Sequence, residues 1–209
     1  MSQPSAQTSD ERTRERILDA ALAHLERYGL RRTTVEDVAR EAGLSRVTIH
    51  RHFGTKETLI REVVLREGRR FLDALGAAIA EHDDPAEALG DGFAFALEHL
   101  GGHPLFNRLL EAEADLLLPY LSGEGGSLLA LARGWVADRL VARVQSGALP
   151  PIDAEGAAEV LVRLALSFLL TPQTCLPLGT RAETRAWARR ALVPGLLGGA
   201  MTGKELSRR

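Results

Sequence analysis

Thr33-Thr34-Val35-Glu36-Asp37-Val38-Ala39-Arg40-Glu41-Ala42-Gly43-Leu44-Ser45-Arg46-Val47-Thr48-Ile49-His50-Arg51-His52-Phe53-Gly54-Thr55-Lys56-Glu57 is the stretch whose reading decides the fold. It contains two short amphipathic blocks joined by Gly43-Leu44-Ser45. In the first block Val35, Val38, Ala39 and Ala42 recur at helical spacing. Either threonine can cap it, since Thr33 with Glu36 or Thr34 with Asp37 makes a capping-box arrangement. Gly43 ends the block with the left-handed turn that glycine adopts without a steric penalty. Ser45, with Thr48 three residues on, caps the second block, which runs through Ile49 to Phe53 and stops at Gly54. Two helices of about two turns each on so tight a turn predict a helix-turn-helix, whose second helix presents its outer face to the DNA major groove. The inner face is Val38, Ala39, Ala42, Leu44, Ile49 and Phe53, and a side chain larger than Ala39 would push the two helices apart.

Working outward, Ile17, Leu18, Ala21, Leu22 and Leu25 mark a helix that stops at Tyr28-Gly29, which gives the head three helices. Thr55 caps a long fourth helix, Lys56 to about Glu81, with Leu59, Val63, Val64, Phe71, Leu72 and Leu75 on its apolar stripe. Further breaks fall at 82–85, 101–104, 122–126, 147–151, 171–179 and 194–195, leaving room for about five more helices. The chain has 209 residues, 45% hydrophobic, 26% charged and 5% aromatic, with few β-branched runs, a composition that favours helix over strand. The expected fold is all-α, with a disordered tail at 1–10, a helix-turn-helix DNA-binding domain at 11–55, a ligand-binding and dimerisation domain at 56–200 and a second disordered tail at 201–209.

Net charge is −2, which by itself argues against a general nucleic-acid binder. Its distribution argues the other way. Between Arg27 and Lys56 seven cations stand against three acids, so a basic patch of +4 is set on an acidic body. The apolar runs are too short to span a bilayer, the polar N-terminus has no signal-peptide core, and the single Cys175 has no disulfide partner. A cytoplasmic protein is expected.

The quoted stretch, within roughly residues 12 to 60, strongly resembles the signature of the TetR/AcrR family of transcriptional regulators. The resemblance implies a homodimer of nine-helix protomers, a recognition helix at Ser45 to Phe53 and an inducer pocket in the C-terminal helices. It implies no catalysis and no cofactor. One departure is His50, where many members carry a tyrosine that touches the phosphate backbone; a histidine can do the same, with a pH-sensitive contact. In the family the last two long helices pair with their twofold mates. Here that places Leu161, Leu164, Ala165, Phe168, Trp187, Ala191 and Leu192 at a dimer interface, although a protomer's own core would show the same stripes. A dimer is also what a palindromic operator demands.

Arg46, Val47 and Thr48 occupy the N-terminal turn of the recognition helix and are the expected base contacts: an arginine pairs with guanine, and a valine or threonine methyl rests on thymine. A solvated charge remains the other reading of Arg46. Thr33, Thr34, Ser45, His50, His52 and Lys56 stand at helix ends or on the groove side, where phosphate contacts would fix orientation, and capping or core packing is the alternative for the threonines and His52. For the effector pocket the candidates are Phe93, Leu97, His103, Phe106, Leu110, Glu113, Leu117, Trp135, Arg139 and Phe168, a mainly apolar set with a few polar anchors. Each could equally be core. Gly90 and Gly92 mark a tight helix crossing or an opening for a ligand. His99 and His103 share a metal-ligand spacing, but Gly101-Gly102 and Pro104 break the helix between them, and no metal is expected.

The function expected is a small-molecule-released repressor that binds operator DNA as a dimer. An activator or ligand-independent DNA binder is the alternative. A small helical enzyme built around His99, His103 and Glu113 is the remote one.

Overall fold

The computed structural model describes residues 5–113, 115 and 127–197. Among these no strand occurs, and the helices group into two compact units, one of residues 1–69 with 103–125 and the other of 70–102 with 126–209.

The first unit opens with α1 (Ser5–Arg32), which starts inside the segment expected as a tail. Gly29 interrupts it with φ 83° and ψ 176°, so the regular helix ends where Tyr28-Gly29 predicts. α2 (Val35–Ala42) and α3 (Arg46–Phe53) follow. Of the two capping boxes open in the sequence, the one that forms is Thr34 with Asp37: the Thr34 hydroxyl oxygen accepts the Asp37 N–H at 3.1 Å and donates to the Asp37 carboxylate at 2.6 Å. Gly43 sits at φ 61°, and the Leu44 N–H closes the turn on the Ala39 carbonyl at 2.9 Å. Val38, Ala39, Ala42, Ile49 and Phe53 are all buried, as the inner-face pattern requires. α4 (Lys56–Ala80) begins at a Thr55 hydroxyl that accepts the Thr58 N–H at 3.1 Å, and contributes buried Leu59, Ile60 and Val63. α6 (Pro104–Ala112) belongs to this unit as well and contacts α1, with Leu105 and Leu109 buried.

The second unit contains the rest of α4, α5 (Pro85–Gly101), α7 (Ser127–Gln145), α8 (Ala154–Leu170) and α9 (Arg181–Trp187). Its core joins Phe93, Leu161, Ala188 and Leu192, with Leu97, Phe168 and Trp187 packed against them. Gly90 and Gly92 serve helix crossings: a Cβ on Gly90 would lie 2.7 Å from Arg189 Cγ, and one on Gly92 2.9 Å from Ile79 Cγ2. The break expected at Pro194-Gly195 is instead a widened turn. Pro194 has no N–H and its ring cannot sit over the carbonyl four residues back, so Ala188–Leu192 takes a π turn, with Val193 N–H bonding the Ala188 carbonyl, before α10 (Val193–Leu197) resumes the helix. The tail expected at 201–209 lies outside the described residues.

Candidate nucleic-acid interface

A helix that reads a groove must bury one face and keep the other bare, and α3 does both. Ile49 and Phe53 anchor it, while Val47 stands 76% exposed on the opposite face. Ser45 starts the helix: its hydroxyl oxygen accepts the Thr48 N–H at 3.1 Å and lies 2.9 Å from the Thr48 hydroxyl. Arg46 is exposed beside them. Its Nη1 is 2.6 Å from Glu36 Oε1 on α2, and its Nε–H points to His50 Nε2 at 3.4 Å. His50 Nδ1 in turn lies 2.5 Å from the Gly54 carbonyl oxygen. The Thr34 hydroxyl bond, helped by nearby Arg40, holds the Asp37 carboxyl below its ordinary range, so an ionised acid sits at the N-terminus of α2 where the helix dipole favours it.

The six residues expected at phosphates are placed differently from one another. Thr34, Ser45 and His50 are exposed on the first unit. Thr33 is 2% exposed, and its hydroxyl donates to the Gly29 carbonyl at 2.6 Å and meets His24 Nδ1 at 3.2 Å, so it serves the end of α1 and has no oxygen facing outward. His52 is also turned inward: its side chain is 6% exposed, Nε2 lies 3.6 Å from Asp10 Oδ1, and the ring packs against Phe53 at 6.3 Å between centroids. The structure supports the alternatives, a local helix-end role for Thr33 and core packing beside Phe53 for His52. Lys56 is half-buried, with Nζ donating to the Leu30 carbonyl at 2.8 Å. That bond caps α1 and uses one of the three ammonium donors.

The comparisons agree with this geometry. Residues 17–63 match the family model described as bacterial regulatory proteins, tetR family, and residues 84–187 match the tetracyclin repressor C-terminal domain. The transcriptional regulator RutR of Escherichia coli K12 is 31% identical over 172 residues, which span 74% of this chain and 76% of RutR. The chain belongs to the TetR family of transcriptional regulators. AlkX of Mycobacterium tuberculosis is 30% identical over 175 residues, 81% of this chain and 80% of that one. Among solved structures, the TetR family repressor AlkX from a Dietzia strain superimposes with a TM-score of 0.64 at 25% identity, covering 88% of this chain and 94% of that one.

In this TetR-family chain the residues expected to line a pocket divide between the two units. His103, Phe106, Leu110 and Glu113 are in the first. Glu113 lines no effector cavity there: it is buried, and its carboxylate accepts the Leu30 N–H at 2.5 Å and the Arg31 N–H at 2.9 Å. Sequence reasoning missed this because the partners are backbone groups more than eighty residues away. Phe93, Leu97 and Phe168 belong to the core of the second unit, where Phe93, Phe168 and Trp187 form a ring cluster with centroids 5.9 to 6.3 Å apart. Trp135 and Arg139 stack on each other, with the guanidinium carbon 3.3 Å from the indole centroid and Gly76 close beside both. Burial holds the Arg139 guanidinium below its ordinary value, with Asp138 and Asp73 acting the other way. Leu117 lies outside the described residues.

Of the residues expected at a dimer interface, Leu161 and Leu192 are buried within the second unit's own core. Leu164, Ala165, Phe168 and Trp187 pack on that same cluster and are half-buried, and Ala191 is exposed. The apolar stripe therefore serves the protomer first. On its outer margin Val160 is 44% exposed and Val162 and Leu166 are half-buried. Among the described residues, no helix is long and apolar enough to cross a membrane, and no group of three or more potential ligands is placed to hold a metal.

Proposed function

We propose that this TetR-family regulator is a cytoplasmic repressor that binds a palindromic operator as a homodimer and releases it when a small molecule binds its C-terminal part. The observation that carries the DNA-binding half of the proposal is α3 itself. Val47 and Arg46 stand bare on a helix whose other face is anchored by Ile49 and Phe53, which is the disposition a base-reading turn needs. Arg46, Val47 and Thr48 read bases. Thr34, Ser45, His50 and Lys56 position the helix on phosphates, through hydroxyls, a ring nitrogen and the ammonium donors not used on Leu30.

Two copies are proposed to pair through the outer margin of α8, as a palindromic operator demands of its reader. Val160, Val162 and Leu166 support that margin as the contact. The effector is proposed to be lipophilic. One observation supports this: the relative from Dietzia is a repressor implicated in biodegradation of n-alkanes. The proposed role is binding rather than catalysis, a reading supported by relatives named transcriptional regulators.

The test is binding of the purified protein to DNA upstream of its own gene, and to sites selected from genomic fragments, across a salt series. Expected is tight sequence-dependent binding whose logarithm falls steeply with the logarithm of salt. Arg46→Ala relaxes sequence preference, and Lys56→Ala weakens all sites alike. Absence of any selected site would overturn the proposal.

A further inference from the structure

Arg46 is held on two sides. A guanidinium has five N–H groups. One on Nη1 meets Glu36 at 2.6 Å and the Nε–H points to His50 at 3.4 Å, which leaves the outer end of the fork for an external acceptor. His50 is itself oriented. The Gly54 carbonyl can only accept, so the nitrogen 2.5 Å from it, Nδ1, carries the hydrogen, and Nε2 presents its lone pair to Arg46. Gly54 supplies that carbonyl at φ 70° while its own N–H bonds the His50 carbonyl at 2.9 Å.

We propose that Glu36 and His50 are positioning residues that hold Arg46 in its base-reading orientation, and that Glu36 thereby sets part of the sequence specificity. The inference rests on Arg46 reading a base. Its physical ground is that contact with Arg46 adds little else: Glu36 stands in the first turn of α2, where an acid meets the helix dipole whether or not it touches Arg46. The pair is 62% and 52% exposed, a setting in which ion pairs add little stability. A carboxylate beside the recognition helix also repels phosphates and weakens binding to any DNA. What it supplies is order. A free arginine must lose its rotamer freedom when it docks on a base edge, at a cost equivalent to roughly two- to tenfold in affinity, and a tethered one has lost much of it already. The unused outer end of the fork matches the two acceptors of a guanine edge.

Two effects of opposite sign follow for Glu36→Gln: binding to random-sequence DNA tightens because a negative charge is gone, while discrimination at one base pair falls by about two- to tenfold. A purely structural role would give the first through the lost charge but not the second. The experiment uses the full-length protein and a duplex selected from random DNA. Arg46→Ala first identifies the base pair whose preference Arg46 carries. If it relaxes none, the base-reading assignment fails and this inference with it.

With that pair identified, the ratio of dissociation constants for the selected and single-substituted duplexes is measured for wild type, Glu36→Gln and His50→Phe, together with melting temperatures. Glu41→Gln removes a neighbouring exposed charge and controls for bulk electrostatics. Expected are relaxation at the Arg46 pair for Glu36→Gln and His50→Phe, an unchanged ratio for Glu41→Gln, and an unchanged melting temperature for Glu36→Gln. A wild-type ratio in Glu36→Gln would overturn the inference. So would relaxation spread evenly over all positions with a lowered melting temperature.

Discussion

Replacing Glu113 with alanine removes a carboxylate whose two oxygens each accept a backbone N–H, from Leu30 at 2.5 Å and from Arg31 at 2.9 Å. Leu30 and Glu113 are both buried, so water does not readily take the vacated place. Hydrogen bonds to a charged group contribute roughly 1.5–3 kcal/mol each, and release of the buried carboxylate's desolvation cost offsets part of the sum. A loss of about 3 kcal/mol is therefore expected. For a chain of this size that lowers the melting temperature by about 6–12 °C. Glu113→Gln keeps one acceptor oxygen but turns an amide N–H toward the other donor, and should lose about half as much. Thermal denaturation followed by circular dichroism measures the stability, and amide hydrogen exchange at Leu30 and Arg31 reports the clamp itself. An alanine variant that melts with the wild type and leaves those two amides equally protected would refute the reasoning.

Gly29→Ala and Gly43→Ala separate two costs. At Gly43 (φ 61°) a Cβ meets nothing within 4 Å, so only the left-handed backbone is penalised, by about 1 kcal/mol. Gly29 (φ 83°, ψ 176°) lies in a region nearly reserved to glycine, and its Cβ would fall 2.7 Å from Glu113 Oε2, so a loss of about 3 kcal/mol is expected in thermal melts, less than additive with Glu113→Ala. Burial alone would raise the Asp91 carboxyl, but hydrogen bonds from Arg181 at 2.7 and 3.1 Å and from His82 at 3.3 Å outweigh it and hold the group below its ordinary value near 3.8. A depressed carboxyl stabilises the fold above its ordinary value and ceases to do so as pH falls through its folded value. The melting-temperature gap between wild type and Asp91→Asn should thus be constant near neutrality and close in acid. Thr33→Val should lower stability by about 1 kcal/mol through the lost bond to Gly29 and leave DNA affinity unchanged; an equal loss of affinity on every sequence would restore it as a phosphate contact.

The head was legible in the sequence because its determinants are local. Caps, a glycine turn and an inner apolar face all lie within the stretch from Thr33 to Glu57, and each is satisfied by neighbours a few positions away. What stayed hidden depends on the path the chain takes and not on local pattern. Glu113 looked like a polar anchor among apolar residues because nothing in its own neighbourhood says that it meets Leu30 and Arg31. Thr33 and Thr34 are chemically identical and adjacent, and only the path of the chain after Gly29 turns one hydroxyl inward and leaves the other to cap α2. The stripe of Leu161, Phe168 and Leu192 shows the same ambiguity, since a core and an interface impose one periodicity on a helix.

Glu113 and Lys56 act on the same short turn of the first unit. α6 falls within the matched C-terminal domain, residues 84–187, yet it belongs to the compact unit of the DNA-binding helices. Its end holds the turn after α1 through Glu113, and Lys56 at the start of α4 holds the Leu30 carbonyl of that turn. The short segment 29–31 is thereby gripped through two N–H groups and a carbonyl by residues at the end of α6 and the start of α4. Bonds to backbone leave the turn little freedom to follow one helix without the other. A displacement of either helix must then move the turn or break a buried, charge-assisted bond, and the second course costs more than most surface contacts return.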